Sequence, residues 1–253
     1  MLNIGHAIFT FCFSVCCLSL VLPKPALAED FVIGVEDIEY YPIYARRDGD
    51  YAGFARELFD AFGSDSGHSF QYKILPIKRL FSEFLGNKLD FKFPDNPNWQ
   101  SDMKAGKGVI YSDAVLEYID GVLVPPSRLG KDKLALKNLG VVRGFTAWDY
   151  LDDINKGEIR VNEGNSLTNL VKMAESERID GVYFNVIVAR YFLEHTEFKK
   201  NALVFDESLP HTRGQYHLST VSHPQIIEQF NTFLRDKVAL IETLKAKYDV
   251  KIF

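Results

Sequence analysis

The sequence predicts an α/β protein of two similar lobes joined by a hinge of two chain crossings. Three observations carry this reading. Short β-branched strands alternate with amphipathic helices from residue 31 onward, a helix-end-and-strand pattern recurs about ninety residues later, and no low-complexity tract intervenes.

Phe31-Val32-Ile33-Gly34-Val35 is a short apolar run rich in β-branched residues, the pattern of a buried strand. From Gly53 the period changes. Phe54, Leu58, Phe59 and Phe62 fall at helical spacing, Arg56, Glu57 and Asp60 face the other way, and Gly63 marks the end. Residues 70–74 alternate as a strand does, and Ile77, Leu80, Phe81, Phe84 and Leu85 then define a second helix stopped by Gly86.

The echo lies between Asn87-Lys88-Leu89-Asp90-Phe91-Lys92-Phe93 and Glu177-Arg178-Ile179-Asp180-Gly181-Val182-Tyr183-Phe184. Each follows a helix, the second marked by Leu167, Leu170, Val171 and Ala174. Two copies of one plan imply two lobes. Residues 118–126, with the apolar run Gly121-Val122-Leu123-Val124, are expected to carry the chain across, and residues 215–221 to bring it back. The last periodic segment sets Ile226, Ile227, Phe230, Phe233, Leu234, Val238 and Ile241 on one helix face, with Ser222 as N-cap and Pro224 in the first turn. The first lobe is thus expected to comprise residues 29–122 and 220–253, and the second residues 123–219.

Residues 6–22 are almost wholly apolar and are followed by Pro23-Lys24-Pro25 and Ala26-Leu27-Ala28, the layout of a cleavable signal peptide over residues 1–28. The run is shorter than the ~20 residues of a membrane span. Cys12, Cys16 and Cys17, the only cysteines, all lie inside it, so the exported chain would have no thiol. Losing Lys24 with the signal takes the net charge from −5 to −6, which argues against nucleic acid or anionic lipid as a partner. None of the common nucleophile, dinucleotide, phosphate-loop or zinc-protease motifs is present. His68, His195, His211, His217 and His223 lack ligand spacing and are expected at the surface or the hinge. The expectation is a periplasmic monomer that is not an enzyme and holds no metal or cofactor.

Val32-Ile33-Gly34-Val35, Tyr40-Tyr41-Pro42, Gly53-Phe54 opening a helix with Glu57, Gly86-Asn87-Lys88-Leu89-Asp90 and Tyr111-Ser112-Asp113 occur in that order. They are followed by Gly140-Val141-Val142-Arg143-Gly144-Phe145-Thr146, Arg178-Ile179-Asp180 and a terminal helix ending at residues 245–248. This series resembles the bacterial extracellular solute-binding proteins of family 3 over the whole chain after the signal. The resemblance implies a type II periplasmic-binding-protein fold whose lobes close on a small polar organic ligand, usually an amino acid, for delivery to an inner-membrane ABC permease. A sensor receptor is the alternative partner. An enzyme of the same fold, similar to cyclohexadienyl dehydratase, stays open, with Glu36 or Asp95 as general acid, as does a stand-alone sensory subunit.

The resemblance places Tyr40 where an aromatic ring meets the ligand, Glu36 at the cleft lip and Thr146 at a contact position of the second lobe. Trp99 and Asp95 lie in a loop of turn-forming residues. Arg79 opens the helix after Leu75-Pro76, near the end of the first sheet, where open α/β folds bind ligands. Arg143 precedes an expected helix whose free N–H groups would favour an oxyanion. Two departures bear on the ligand. The family's Thr-x-x-Arg carboxylate anchor has no arginine counterpart in residues 94–103, where Lys104 or Lys107 is the nearest substitute, and its ammonium-binding Asp is Asn185 here. A zwitterion buried without opposite charges would lose several kcal/mol per ion. The expected ligand is therefore not a standard α-amino acid.

Overall fold

The computed structural model describes residues 28–199 and 201–251, so the expected signal peptide, Ala28 apart, lies outside the described residues. The first part of the chain forms β1 (Asp30–Glu36), a hairpin of β2 (Ala45–Arg47) and β3 (Asp50–Ala52), α1 (Phe54–Ser66), β4 (Ser69–Leu75), α2 (Ile77–Leu85), β5 (Phe91–Asp95), α3 (Ser101–Lys104) and β6 (Ile110–Tyr111). β7 (Leu116–Val124) leads into β8 (Asn138–Val142), α4 (Leu151–Asn155), β9 (Arg160–Gly164), α5 (Leu167–Glu175), β10 (Gly181–Asn185), α6 (Val186–Glu194) and β11 (Val204–Phe205). β12 (Thr212–Thr220) returns the chain, and α7 (Pro224–Asp236) and α8 (Val238–Lys247) finish it. Among the described residues no helix is long and apolar enough to cross a membrane.

The strands run β4-β1-β5-β12-β7-β10-β8-β9, a single path made of two sheets that share β12. In one, β1 is parallel to β4 and β5; in the other, β8 is parallel to β9 and β10. Parallel neighbours require crossover helices, which α1, α2, α4 and α5 supply. The apolar face of α1 carries Phe59 and Phe62 onto Phe230 of α7, with ring centroids 5.6 and 5.0 Å apart.

The echo in the sequence is an echo in hydrogen bonds. Asn87 and Glu177 both take a positive φ, near 57° and 55°, just past the ends of α2 and α5. Asp90 then accepts from the backbone N–H of Val32 at 2.7 Å, and Asp180 accepts from those of Lys137 and Asn138 at 2.7 Å. Each aspartate clamps the neighbouring parallel strand. Between them Leu89 and Ile179 insert over a glycine: a Cβ on Gly34 would stand 2.5 Å from Leu89, and one on Gly140 2.5 Å from Ile179. Close approach of a buried side chain, rather than a turn, requires glycine at both strands.

The structure corrects four expectations. Gly121-Val122-Leu123-Val124 is not the crossing, because it pairs with β10 and β11 within the second sheet. The chain passes over earlier, between β6 and β7, and returns inside β12, where Tyr216 pairs with Leu116 of β7 while His217 pairs with Asp95 of β5. The terminal periodic segment is two helices, since Lys237 leaves helical geometry (φ −107°, ψ 29°) and pairs with Asp65 at 2.6 Å. The N-cap residue there is His223, while the Ser222 hydroxyl bonds to Asn87. His68 is buried, not at the surface or the hinge, with its Nε2 3.0 Å from Gln229.

Candidate functional site

A cavity of ≈ 110 Å³, several times what one water needs, lies where the two sheets meet. From the first lobe, Glu36 ends β1, Tyr40 and Tyr44 follow it, Ile77 and Phe81 project from α2, and Trp99 closes one side. From the second come Thr146 and Trp148 after β8 and the β10 residues Tyr183, Phe184 and Asn185, with Phe145 beside them. Asp120 of β7 and Tyr216 of β12, the strand shared by both sheets, form the floor.

Hydrogen bonds fix the polar lining. The Tyr44 hydroxyl donates to Glu36 Oε2 at 2.6 Å. Asn185 caps α6 by accepting from the Val188 N–H at 3.1 Å, which leaves its amide to donate to Asp120 Oδ1 at 3.1 Å and to the Tyr216 hydroxyl at 3.3 Å. Burial raises the Glu36 carboxyl above the ordinary glutamate range, against the Lys92 charge and the Tyr44 hydrogen bond. Burial likewise pushes Asp120 up to about 7; the Asn185 hydrogen bond opposes it, and the Asp149 and Glu36 carboxylates add to it.

Tyr40, Phe145 and Phe184 form an aromatic wall between the lobes, with Tyr40 5.8 Å from Phe145 and 5.4 Å from Phe184. Beyond it a second groove runs past Glu39, Ser166 and His195. The lobes also meet outside the wall. Tyr41 and Tyr191 are 4.9 Å apart, and the Arg190 guanidinium donates to the Asp249 carbonyl and carboxylate at 2.9 and 3.0 Å.

Of the residues singled out in the sequence, Glu36, Tyr40, Trp99, Thr146 and Asn185 line this one cavity. Three do not. Arg79 points to solvent and pairs with Glu83 at 2.7 Å. Arg143 is exposed and pairs with Glu163 at 3.3 Å, and the helix expected beyond it is only a 3-10 turn followed by the five residues of α4. Asp95 is wholly buried behind the cavity, where it accepts from Lys104 at 2.6 Å and from the Ser219 hydroxyl at 2.6 Å, with Lys92 at 3.4 Å. Lys104 is committed to Asp95 and the Asn96 carbonyl and does not replace the missing arginine. Sequence reasoning missed Asp120, Tyr44, Tyr183 and Tyr216; the only signal was the single acidic residue before the Gly121 run.

The arrangement is a polar and aromatic cavity between two α/β lobes. No family model matches the chain, and no curated protein matches it in sequence. Solved structures do match. An ABC uptake transporter substrate-binding protein from Streptococcus pneumoniae with bound histidine superposes with a TM-score of 0.68 at 18% identity, over 88% of this chain and 95% of that one. The arginine-, lysine-, histidine-binding protein of the thermophilic bacterium Geobacillus stearothermophilus gives 0.67 at 16%, over 87% and 96%. An ancestral amino acid-binding protein, a precursor of cyclohexadienyl dehydratase, gives 0.66 at 18%, over 88% and 96%. The chain has the two-lobed fold of these solute-binding proteins.

Proposed function

We propose that the protein is a periplasmic solute-binding protein, a monomer that closes its lobes on a small polar organic ligand and presents it to an inner-membrane ABC permease. The observation that carries this is the cavity itself, built from both lobes and floored in part by β12, the strand the two sheets share. Hinged closure around a ligand is a recurring use of such an arrangement. A solute at ~100 times its Kd should add ~2.7 kcal/mol of stability, roughly 5–10 °C in Tm for a chain of this size. The same solute should lower the radius of gyration in small-angle scattering. Stabilisation with no compaction at saturation would count against a closing hinge.

A second reading, a dehydratase of the same fold, draws on Asp120, which is a carboxyl able to hold a proton near neutral pH. The lining argues against it, because a substrate bearing carboxylates would meet Glu36 and Asp120 and, among the described residues, no cationic side chain. Purified protein is expected not to turn over prephenate or arogenate; product formed at a rate abolished by Asp120→Asn would favour the enzyme.

A further inference from the structure

We propose that the ligand is a small organic cation without a carboxylate, an amine or quaternary ammonium, held by Asp120 and Glu36 inside an aromatic cage. This deepens the solute-binding reading and rests on it. Among the described residues that line the cavity, two are carboxylates and none is Lys, Arg or His. The nearest ammonium groups stand behind the lining. Lys92 lies 4.2 Å from the Phe81 ring centroid and Lys104 5.4 Å from it, both anchored by Asp95, and Lys92 is the charge that acts on Glu36.

Among the described residues Asp120 has no such counter-charge. Around it stand the Asn185 amide, the carboxylates Asp149 and Glu36, and the tyrosines Tyr40, Tyr118, Tyr183 and Tyr216. A cation seated beside it would supply the missing partner. The walls suit the same charge: Tyr40, Trp99, Phe145, Trp148, Tyr183 and Phe184 supply aromatic lining, and the faces of such rings attract cations and repel anions. A zwitterion would bring a carboxylate into this acidic space with no donor cation to meet it, and an anion would meet two carboxylates.

The protein carries its own reporter. It has two tryptophans, and both line the cavity, Trp99 from one side and Trp148 from the other. Tryptophan fluorescence should therefore be titrated with choline, tetramethylammonium and phenethylamine, with glycine betaine, histidine and arginine as zwitterionic arms and glutamate and benzoate as anionic arms. Calorimetry should confirm each hit.

The expected result is a saturable change with at least one cation, tighter than with any carboxylate-bearing solute. Its affinity should fall about 10- to 100-fold in Asp120→Asn, the loss expected for one charge-assisted contact. Glu36→Gln gives a second, independent loss, and circular dichroism shows whether each variant is folded. A zwitterion or anion that binds more tightly than every cation, or a cation indifferent to both substitutions, overturns the charge assignment and leaves solute binding standing. If no arm binds at all, both readings fall.

Discussion

Asp95→Asn should cost about 3–5 kcal/mol of stability, the usual penalty for removing one partner from a buried ionic network. Asp95 and Lys92 are entirely inaccessible, and Lys104 nearly so. Burial lowers the Lys104 ammonium pKa below the ordinary lysine value even with Asp95 beside it, which signals how costly that charge is to desolvate. Asparagine keeps the shape and a hydrogen bond to Ser219 but leaves two ammonium groups without the anion that pairs with both. Replacing the whole cluster with apolar residues of similar volume, Asp95→Leu with Lys92→Met and Lys104→Met, should recover most of the loss. Urea denaturation decides it. A cost below about 1 kcal/mol for Asp95→Asn would mean that water reaches the cluster.

Asp120→Asn should change the pH dependence of stability by a comparable amount. In the unfolded chain this carboxyl ionises near 3.8, whereas in the folded protein it keeps its proton up to about 7. The stability it contributes is thus complete below the unfolded value and is lost as pH rises through the folded one. Between pH 4 and pH 8 the wild type should lose roughly 3–4 kcal/mol from this group. The variant should not, so the difference between the two should grow by that amount in its favour. Parallel pH profiles would show that Asp120 is already ionised and solvated in the free protein. The same substitution weakens the proposed ligand, so stability and binding pull in opposite directions at one residue, as expected where a site stores strain.

The fold was legible because both lobes are built on one local rule. Helix end, left-handed turn, inserted Leu89 or Ile179, clamping Asp90 or Asp180 and buried strand are adjacent in sequence, so the pattern survives without any tertiary information. The site was legible only in part, because its residues come from strand ends and loops that periodicity does not orient. Arg79 shows where more could have been read. Ile77 and Phe81 are one helical repeat apart and face the cavity, while Arg79 lies about 200° around the helix from Ile77. Lys92 reads as the polar half of an alternating strand, yet β5 is central and covered on both faces, so it is buried. Asp120 precedes an apolar run taken as the crossing, and only the pairing of β7 with β10 and β12 turns it inward.

The place where β12 changes partners has a kinetic meaning. Tyr216 is the last residue paired with β7, so the Tyr216 end of the cavity floor lies at the pivot about which lobes would turn, while Asp120 pairs with Asn185 and Thr212 inside the second sheet. Groups held in one sheet keep their places when lobes move. A cationic end would find Asp120 beside Asn185 whether the lobes stand apart or together, and that encounter would not wait for closure. The wall of Tyr40, Phe145 and Phe184 spans the lobes and has to assemble afterwards. Admission would then depend on charge held within one lobe, and residence time on how long three rings at the rim stay in contact.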